Sequence, residues 1–361
     1  MRIVQIIPTL GQGGAERFVV DLSNKLSELG HSVLLIQLFP ETKRYSFYRS
    51  EIAPTVQYVS LDKKLGFDFA VLFKLNCMIV RFKPDVVHTH LEGISYIIPS
   101  LCMGAKFVHT IHNQADKEAA GMARRIRSFL FKHKLVCPIT ISDSSEQSFR
   151  EIYGQNGKTI FNGRNFDIQS VKADLVHDEI ESYKLSKDTK VLMLLARLSK
   201  QKRPYILAKV AKKLIAQGYD ITVLLIGADQ DDSEKNKILD VNCPNIHILG
   251  ERSNPIDYLK ETFAFCLCSE YEGLPISLIE AMHCGAIPVC TPVGGIVDLV
   301  KDGFNGILSK DISEESYYYA LKRLLDTDEA AVHIMKDKTK ESVEIYNMNY
   351  CANNYIKFYK S

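Results

Sequence analysis

The sequence predicts an α/β protein built from two doubly wound domains, each with a parallel sheet between layers of helices. The chain has 361 residues, a length that suggests two domains. Short apolar runs of strand length alternate with stretches of helical periodicity in both halves. Strands separated by helices form parallel sheets with right-handed crossovers, so the alternation favours this fold class.

The first half carries seven strand-like runs, and we expect residues 1–165 to form the first domain. These runs cover residues 3–7, 32–38, 56–59, 86–88, 107–111, 139–141 and 159–161, with helical patterns such as 14–29 and 144–153 between them. The second half repeats the scheme, and we expect residues 166–340 to form the second domain. Its predicted strands cover residues 191–196, 221–226, 246–249, 263–268 and 287–290, and its predicted helices include 204–217 and 233–240. The polar stretch 167–188 has no long apolar run and is interpreted as the linker and the entry to the second domain.

Composition and charge restrict the functional classes. The chain is 46% hydrophobic and 24% charged, which is typical of a globular protein in water, and it has no apolar run of membrane-spanning length. Its start resembles a β-strand rather than a signal peptide, and the nine cysteines form no Cys-x-x-Cys pair, so we expect reduced thiols and a cytoplasmic location. Residues 1–165 carry a net charge of +7 and the remainder −5. A basic first half suggests an anionic acceptor or an anionic membrane surface.

The segment 268–282 places two glutamates, Glu272 and Glu280, around the start of a predicted helix. Pro275 suits the first helical position, and Gly285 suits the residue after the C-cap. Free N–H groups at the helix start bind anions, so a diphosphate fits on residues 273–276. Ionised carboxylates only accept hydrogen bonds, so the two glutamates fit sugar hydroxyls. The pattern indicates a nucleotide-sugar pocket.

This segment strongly resembles the signature of the retaining glycosyltransferases with a Glu-x7-Glu motif, family four of GT-B architecture. Further matches follow in the family's order along nearly the whole chain. They are the glycine loop 7–17, Thr110-Ile111-His112, Ile160-Phe161-Asn162-Gly163, Ala196-Arg197-Leu198 with Lys202, residues 291–295 and residues 302–306. The resemblance implies two Rossmann-like domains facing a central cleft, with a last helix in residues 341–361 that returns to the first domain. Arg164-Asn165 departs from the family pattern and puts a hinge or rim contact in doubt.

Arg197 and Lys202 follow the first predicted strand of the second domain. Fixed cations there would stabilise the negative charge that develops on a leaving nucleoside diphosphate. The alternative is a pair of solvated surface cations. The resemblance assigns the donor ribose to Glu280 and the hydroxyls of the transferred sugar to Glu272.

Three glycines, Gly11, Gly13 and Gly14, separate the first predicted strand from the first predicted helix, where backbone amides can approach a phosphate or a sugar. A dehydrogenase-type dinucleotide site is disfavoured, because Glu16 replaces the third glycine and the second strand ends without the acidic residue. The resemblance places His112 opposite the donor sugar. His88 and His90 share a strand face, but no further ligands stand nearby, so structural histidines are favoured over a metal site.

A basic stretch with apolar residues at helical spacing covers residues 119–134. It can bind an anionic membrane surface, and an ordinary amphipathic helix packed on its own domain is the alternative. Its cations are Arg124, Arg125, Arg127, Lys132 and Lys134. No recognition motif for nucleic acid accompanies them.

Together with these residues, the resemblance implies a metal-independent retaining glycosyltransferase that needs no cofactor. It would move a hexose or N-acetylhexosamine from a nucleotide sugar, with UDP-sugars favoured, to a saccharide or lipid-linked saccharide in surface polysaccharide or glycolipid synthesis. The alternatives are a non-catalytic sugar-nucleotide-binding subunit, an epimerase and a phosphorylase. The expected catalytic residues are His112, Arg197, Lys202 and Glu272. The expected donor-binding residues are Gly13, Gly14, Asn162, Gly250, Gly273, Leu274, Pro275 and Glu280.

Overall fold

The structure is a computed structural model that describes residues 1–166 and 172–361. The chain divides into two compact units. The first unit contains Met1–Asn165 and Tyr346–Ser361, and the second contains Phe166–Ile345.

The first unit is built on a seven-stranded parallel sheet with strand order β3-β2-β1-β4-β5-β6-β7. The order reverses at β1, which pairs with both β2 and β4, as expected for a doubly wound sheet. The strands are β1 Arg2–Ile7, β2 Ser32–Gln37, β3 Gln57–Ser60, β4 Val86–His90, β5 Lys106–Ile111, β6 Cys137–Thr140 and β7 Lys158–Thr159.

Two helical layers cover this sheet. Because side chains alternate along a strand, Ile3 and Ile7 of β1 face one layer and Val4 and Ile6 face the other. The helices of the first unit are α1 Gly14–Glu28, α2 Phe69–Phe82, α3 Ala115–Glu118, α4 Gly121–Lys132, α5 Asp143–Tyr153 and, at the end of the chain, α14 Met348–Lys360. α1 and α14 pack on the Ile3 side, whereas α2 and α4 pack on the Val4 side with the 3₁₀ segments Leu91–Tyr96 and Ile98–Ser100.

The C-terminal helix is an integral part of the first unit. Tyr355 and Tyr359 of α14 are buried among residues of α1 and β1. The chain approaches it at Gly163, where an added Cβ would lie 2.5 Å from the Cβ of Cys351. Only glycine fits there, so the Asn-Gly pair has a packing reason in addition to its predicted role.

The second unit contains a six-stranded parallel sheet with strand order β10-β9-β8-β11-β12-β13. β8 contributes Leu192 and Leu194 to a cluster with α7 and α12, while Val191 and Met193 are buried on the opposite face. The strands are β8 Lys190–Leu195, β9 Ile221–Ile226, β10 Ile246–Gly250, β11 Ala264–Leu267, β12 Ile287–Cys290 and β13 Ile307–Leu308. The helices are α6 Ala173–Glu181, α7 Pro204–Ile215, α8 Asp232–Leu239, α9 Pro255–Lys260, α10 Ile276–His283, α11 Ile296–Leu299, α12 Glu314–Leu325 and α13 Glu329–Glu341.

The stretch 167–188, interpreted as the linker and the entry to the second domain, contains α6, which belongs to the second unit. Val176 and Ile180 are buried, because the polar-looking stretch hides an apolar pair at i, i+4 spacing. Residues 167–171 of that prediction lie outside the described part of the chain. Within residues 1–166 and 172–361, no helix combines the length and apolarity needed to cross a bilayer.

Candidate active site

In the second unit, the loops after β8 and β11 are bound to each other. Gln201 donates its side-chain amide to the carbonyl of Tyr271 at 2.8 Å, and its own carbonyl accepts from Glu270 N at 2.9 Å. Arg203 donates to the carbonyl of Cys268 at 2.8 Å. These bonds fix the two strand ends that carry the predicted cations and glutamates.

Glu272, which is buried, and Lys202, which is partly buried, form an ion pair at this position. Lys202 Nζ donates to Glu272 Oε1, and Ser269 Oγ donates to the same oxygen at 2.6 Å. The side chains of Lys202 and Glu272 are 12% and 6% exposed. The residue predicted to bind phosphate and the residue predicted to bind the sugar are therefore direct partners.

Helix α10 begins at Ile276, one residue later than predicted, and Pro275 is its N-cap in extended conformation. The prediction that Pro275 occupies the first helical position is therefore wrong by one residue. A proline side chain cannot cap the helix start, so the first N–H groups point away from the helix body without a side-chain cap. Glu280 lies on this helix and is 6% exposed. Gly285 has φ +82° and follows the C-cap Cys284, as predicted.

Close backbone packing brings the remaining expected residues of the second unit to the same sheet edge. Gly227 has φ +148°, and an added Cβ would lie 2.1 Å from the carbonyl oxygen of Ala196, directly before Arg197. Gly227 N also donates to the carbonyl of Gly250, which ends β10, at 2.9 Å. Gly250 is thus the last residue of β10, and Arg197 follows β8 of the same sheet. Leu274 is buried beside Pro275.

In the first unit, the glycine loop leads directly into α1. Gly13 is the N-cap of this helix in extended conformation, and Gly14 is its first residue. An added Cβ on Gly13 would lie 2.2 Å from the carboxylate of Glu16, so the loop tolerates no side chain without movement of Glu16. Nearby, Gln12 Oε1 is buried without a hydrogen-bond partner among the described residues.

His112 is the end of a buried chain of hydrogen bonds from Gln5 through His90. His90 Nε2 lies 2.8 Å from Gln5 Oε1, and His90 Nδ1 lies 2.9 Å from His112 Nε2. Burial lowers the pKa of His90 well below its usual value and that of His112 to about 4, so both rings are neutral at pH 7. Because the Gln5 oxygen accepts, His90 Nε2 donates, and His112 Nε2 must then donate to His90 Nδ1. This leaves His112 Nδ1 as an acceptor, and it is buried without a protein partner among the described residues.

Glu118 holds the backbone at His112. Its Oε2 accepts from His112 N at 2.6 Å and from Asn113 N at 3.2 Å. Its Oε1 accepts from Arg127 at 2.8 Å. Burial alone would raise the pKa of Glu118, but contact with His109 and the charge of Arg127 outweigh this effect and lower it to about 2.

This arrangement contradicts the expected role of Arg127 in a cationic membrane face. Its side chain is only 4% exposed, and it also donates to the carbonyl of Leu91 at 2.9 Å. Arg124 is partly engaged as well, since it donates to the carbonyls of Ala119 and Asp116. An acidic partner outside the basic stretch turned Arg127 inward, and the spacing within α4 does not reveal that partner.

Asn162 is 2% exposed, and its Oδ1 has no hydrogen-bond partner among the described residues. Arg164, two residues after Asn162, is held within the first unit. It forms a buried ion pair with Asp21 at 2.6 Å, and its backbone is bonded to Tyr346 and Met348. The departure from the family pattern therefore fastens the start of α14 to α1.

The histidine pair of β4 is held by protein groups. The rings of His88 and His90 lie 4.1 Å apart, and His88 contacts the hydroxyls of Tyr359 and Thr110, each at 2.7 Å. In the described ranges, residues 1–166 and 172–361, no group of three His, Cys, Asp or Glu side chains is arranged to hold a metal ion. All nine cysteines are free thiols.

Motif spacing predicted the site residues of the second unit and the family resemblance predicted His112, but neither gave a signal for the side chains that contact them. Gln5 and Glu118 lie outside the motifs, Ser269 lies in the segment 268–282 but had no expected role, and Gln201 lies in a loop of ordinary polar residues. Alternating buried polar residues on β1 and β4 were the available signal for Gln5 and His90, since buried polar groups need partners.

Two family models match the chain. "Glycosyltransferase Family 4" matches residues 12–167, and "Glycosyl transferases group 1" matches residues 177–341. Together they cover most of both units.

Similar proteins include an Escherichia coli UDP-Gal:alpha-D-GlcNAc-diphosphoundecaprenol alpha-1,3-galactosyltransferase, 26% identical over 82% of this chain and 79% of the relative. A Bacillus anthracis N-acetyl-alpha-D-glucosaminyl L-malate synthase is 27% identical over 92% of this chain and 89% of the relative. Among solved structures, Anabaena HepE in complex with UDP and glucose has a TM-score of 0.82 at 16% identity, covering 100% of this chain and 99% of that chain. The chain belongs to the glycosyltransferases of family four and has their GT-B fold.

Proposed function

We propose that this glycosyltransferase moves a hexose or an N-acetylhexosamine from a UDP-sugar to a hydroxyl of a lipid-linked saccharide, with retention at the anomeric carbon. The related galactosyltransferase named for a diphosphoundecaprenol acceptor supports the acceptor class. The UDP and glucose bound to HepE support the donor class. Such a reaction belongs to surface polysaccharide or glycolipid synthesis in a bacterium, at the cytoplasmic face of the membrane.

The observation that carries this proposal is the Lys202–Glu272 pair beside the uncapped start of α10. When a donor binds, its diphosphate can replace Glu272 as the partner of Lys202, and the sugar hydroxyls can replace Lys202 as the partner of Glu272. Neither buried charge is left unpaired by this exchange, which matters because an uncompensated buried charge is strongly destabilising. Lys202, Arg197 and the backbone N–H groups of Gly273, Leu274 and Ile276 then stabilise the diphosphate as it leaves.

The other residues of the site receive roles that their positions support. Glu280 accepts hydrogen bonds from the ribose hydroxyls. Leu274, Pro275 and Gly250 provide close backbone contact with the donor, and in the first unit Gly13 and Gly14 let backbone amides approach a phosphate or a sugar. In the first unit, His112 Nδ1 and Asn162 Oδ1 are buried acceptors, and each can accept from a sugar hydroxyl.

Retention without a nucleophile on the protein requires attack from the face that the diphosphate leaves. The acceptor oxygen forms the new bond as the bond to the diphosphate breaks, and a diphosphate oxygen takes the proton of the acceptor hydroxyl. The cations and the helix start supply the positive charge that a metal ion supplies in other transferases, so we propose that the reaction is independent of metal. Activity that disappears with EDTA and returns with Mg²⁺ would refute this part.

A donor screen tests the proposal. Thermal shifts and slow sugar release are measured with UDP-, GDP- and ADP-sugars, and Glu280→Gln is the matched variant that keeps side-chain volume. We expect stabilisation and release with UDP-sugars, both reduced in the variant.

If stabilisation occurs but no lipid-linked acceptor is glycosylated, the chain is a binding subunit. If the donor is converted without an acceptor, it is an epimerase, and a requirement for free phosphate would identify a phosphorylase. An inverted anomeric centre in the product, read from NMR couplings, would refute retention.

A further inference from the structure

One side of the first unit exposes an unusual amount of apolar surface. Eleven large apolar side chains of this unit are exposed, and nine of them belong to the layer of α2 and α4 or to the segments joined to it. The other two, Leu29 and Tyr350, belong to the opposite layer. We call the following residues the α2–α4 surface: Leu65, Phe67, Phe69, Phe73, Val80, Ile98, Met122, Phe129 and Leu135.

Helix α2 has two apolar sides. Val71, Leu75 and Ile79 face the sheet and are buried. Phe69, Phe73 and Val80 lie within about 40° of one another on the other side, given 100° per residue. Phe69 and Phe73 are 76% and 73% exposed. A helix on the surface of a globular unit normally carries polar residues there, so this side lacks its partner.

Cations flank the apolar side chains on both helices. Lys74 and Arg81 are exposed on α2, and Lys63 and Lys64 precede it. On α4, Arg125 and Lys132 are exposed next to Met122 and Phe129. Residues 121–135 contain no acidic residue, and residues 62–83 contain five cations and two acids.

We propose that the α2–α4 surface docks on an anionic lipid bilayer, with Phe69 and Phe73 inserted below the headgroups and the flanking cations at their level. Apolar insertion and attraction to anionic lipids add in such contacts. A symmetric dimer is disfavoured, because an isologous contact would bring the same cations of the two copies close together. Nucleic acid is disfavoured because leucine, valine, isoleucine and methionine side chains cannot stack on bases as the aromatic ones do.

This surface differs from the one expected from the sequence, which comprised only the basic stretch 119–134 and its interleaved apolar residues. Arg127 is removed from it by its ion pair with Glu118, and α2 supplies the larger apolar contribution. The inference rests on the proposed function only for its biological purpose, which is to bring the enzyme to a lipid-linked acceptor. The contact itself depends on residues outside the candidate active site.

The absence of tryptophan from the chain allows a specific test. Phe73→Trp introduces a single indole on the α2–α4 surface, and Tyr319→Trp introduces one at a site of the second unit that is 60% exposed. Each protein is mixed with vesicles of phosphatidylcholine alone or with 30 mol% phosphatidylglycerol (about a third anionic lipid). We expect a blue shift and quenching by brominated acyl chains only for F73W, and only with anionic vesicles.

Flotation of the full chain with the same vesicles gives the affinity. Phe69→Ser with Phe73→Ser should lower partitioning by at least about tenfold, since a buried Phe contributes on the order of tenfold or more. Lys74→Gln and Arg81→Gln should each lower it by about fivefold, and 0.5 M salt should abolish it. Leu185→Ser and Ile334→Ser, equally exposed in the second unit, are the matched controls and should change nothing.

Other outcomes would overturn the inference. They are equal binding to neutral vesicles, an unshifted F73W emission, and a wild-type dimer that F69S/F73S converts to monomer without any vesicle binding. An equal blue shift of F73W with an RNA oligonucleotide would also overturn it. Transfer to a water-soluble saccharide acceptor, measured in parallel, tests the proposed function independently, because that reaction requires no membrane.

Discussion

Each unit positions its own candidate functional residues, and the two units do so in different ways. In the second unit, Glu272 and Glu280 are separated by seven residues, and one strand, one loop and one helix position both. In the first unit, His112 depends on Gln5, His90 and Glu118, which come from β1, β4 and the short helix α3. The second-unit residues are close together in sequence, whereas the first-unit residues are distant in sequence and are brought together by the pairing of the strands.

Because of this difference, we expect the second-unit residues to serve ligand binding and turnover, and the first-unit network to serve mainly the stability of the fold. The second-unit set lies on loops and a helix start, where its polar groups can exchange partners with a ligand. The first-unit set is buried among sheet residues, so its polar groups must satisfy one another in the folded chain. We therefore expect substitutions in the first-unit network to reduce stability most, and substitutions in the second-unit set to reduce turnover most.

The largest expected effect is on stability, from Glu118→Ala. The variant leaves Arg127 buried without its carboxylate and two backbone N–H groups without an acceptor, so the free energy of unfolding should fall by about 3–5 kcal/mol. Urea denaturation measures it. Glu341→Ala, which breaks the exposed pair with Lys338, is the control and should cost under about 1 kcal/mol. An equal loss of unfolding free energy in both variants would contradict the expectation that the buried network of the first unit stabilises the fold.

Next in size is the effect of Lys202→Ala on turnover. We expect kcat to fall on the order of 10²–10³, as after removal of one preorganised charge stabiliser, and Arg197→Ala should act in the same direction. Unchanged kcat in both variants would refute the phosphate role.

The double variant Lys202→Ala with Glu272→Gln sharpens this result. Removal of the unpaired carboxylate should restore part of the unfolding free energy that K202A loses, while kcat stays low. Recovery of activity together with stability would mean that the pair is structural only.

A smaller effect is the dependence of stability on pH. The pKa of buried His112 is lowered to about 4 from 6.5, so below pH 6.5 the unfolded chain binds a proton that the folded chain does not. The free energy of unfolding should therefore fall as the pH drops from about 6.5 to about 4, by up to about 1.4 kcal/mol per pH unit for each such histidine. Denaturation midpoints across this range measure the slope. His88→Gln should flatten it, since burial also lowers the pKa of His88.

The smallest expected effect concerns Gln5→Leu. It removes the acceptor of His90 Nε2 and frees His90 to donate from Nδ1, which competes with the donor at His112 Nε2. We expect kcat/KM to fall about three- to tenfold, in line with one neutral hydrogen bond. The ¹⁵N shift of His112 Nδ1 should move from the acceptor form toward a mixture. An unchanged ¹⁵N spectrum would mean that Gln5 does not set the tautomer, whatever the change in stability.

The edges of regular elements were predicted closely where the signal was local. β9 and the N-terminal boundary of α7 lie where the sequence placed them, because an unbroken apolar run and a proline define them. The start of α10 was misplaced by one residue, since Pro275 suits both the N-cap and the first helical position in φ, and its ψ of 122° decides. Helix α6 was missed because only Val176 and Ile180 mark its buried side.

The sequence by itself determined the alternation of strands and helices, the positions of the glutamate pair and the cations, and the family. These features depend on periodicity and spacing within one or two elements. Only the tertiary structure decided that Arg127 turns inward, that Glu118 and Gln5 support His112, and that α2 exposes phenylalanines instead of burying them. Each of these outcomes depends on which distant segment lies next to a side chain. The local sequence around a buried charge or an apolar helix side does not identify the residues that contact it.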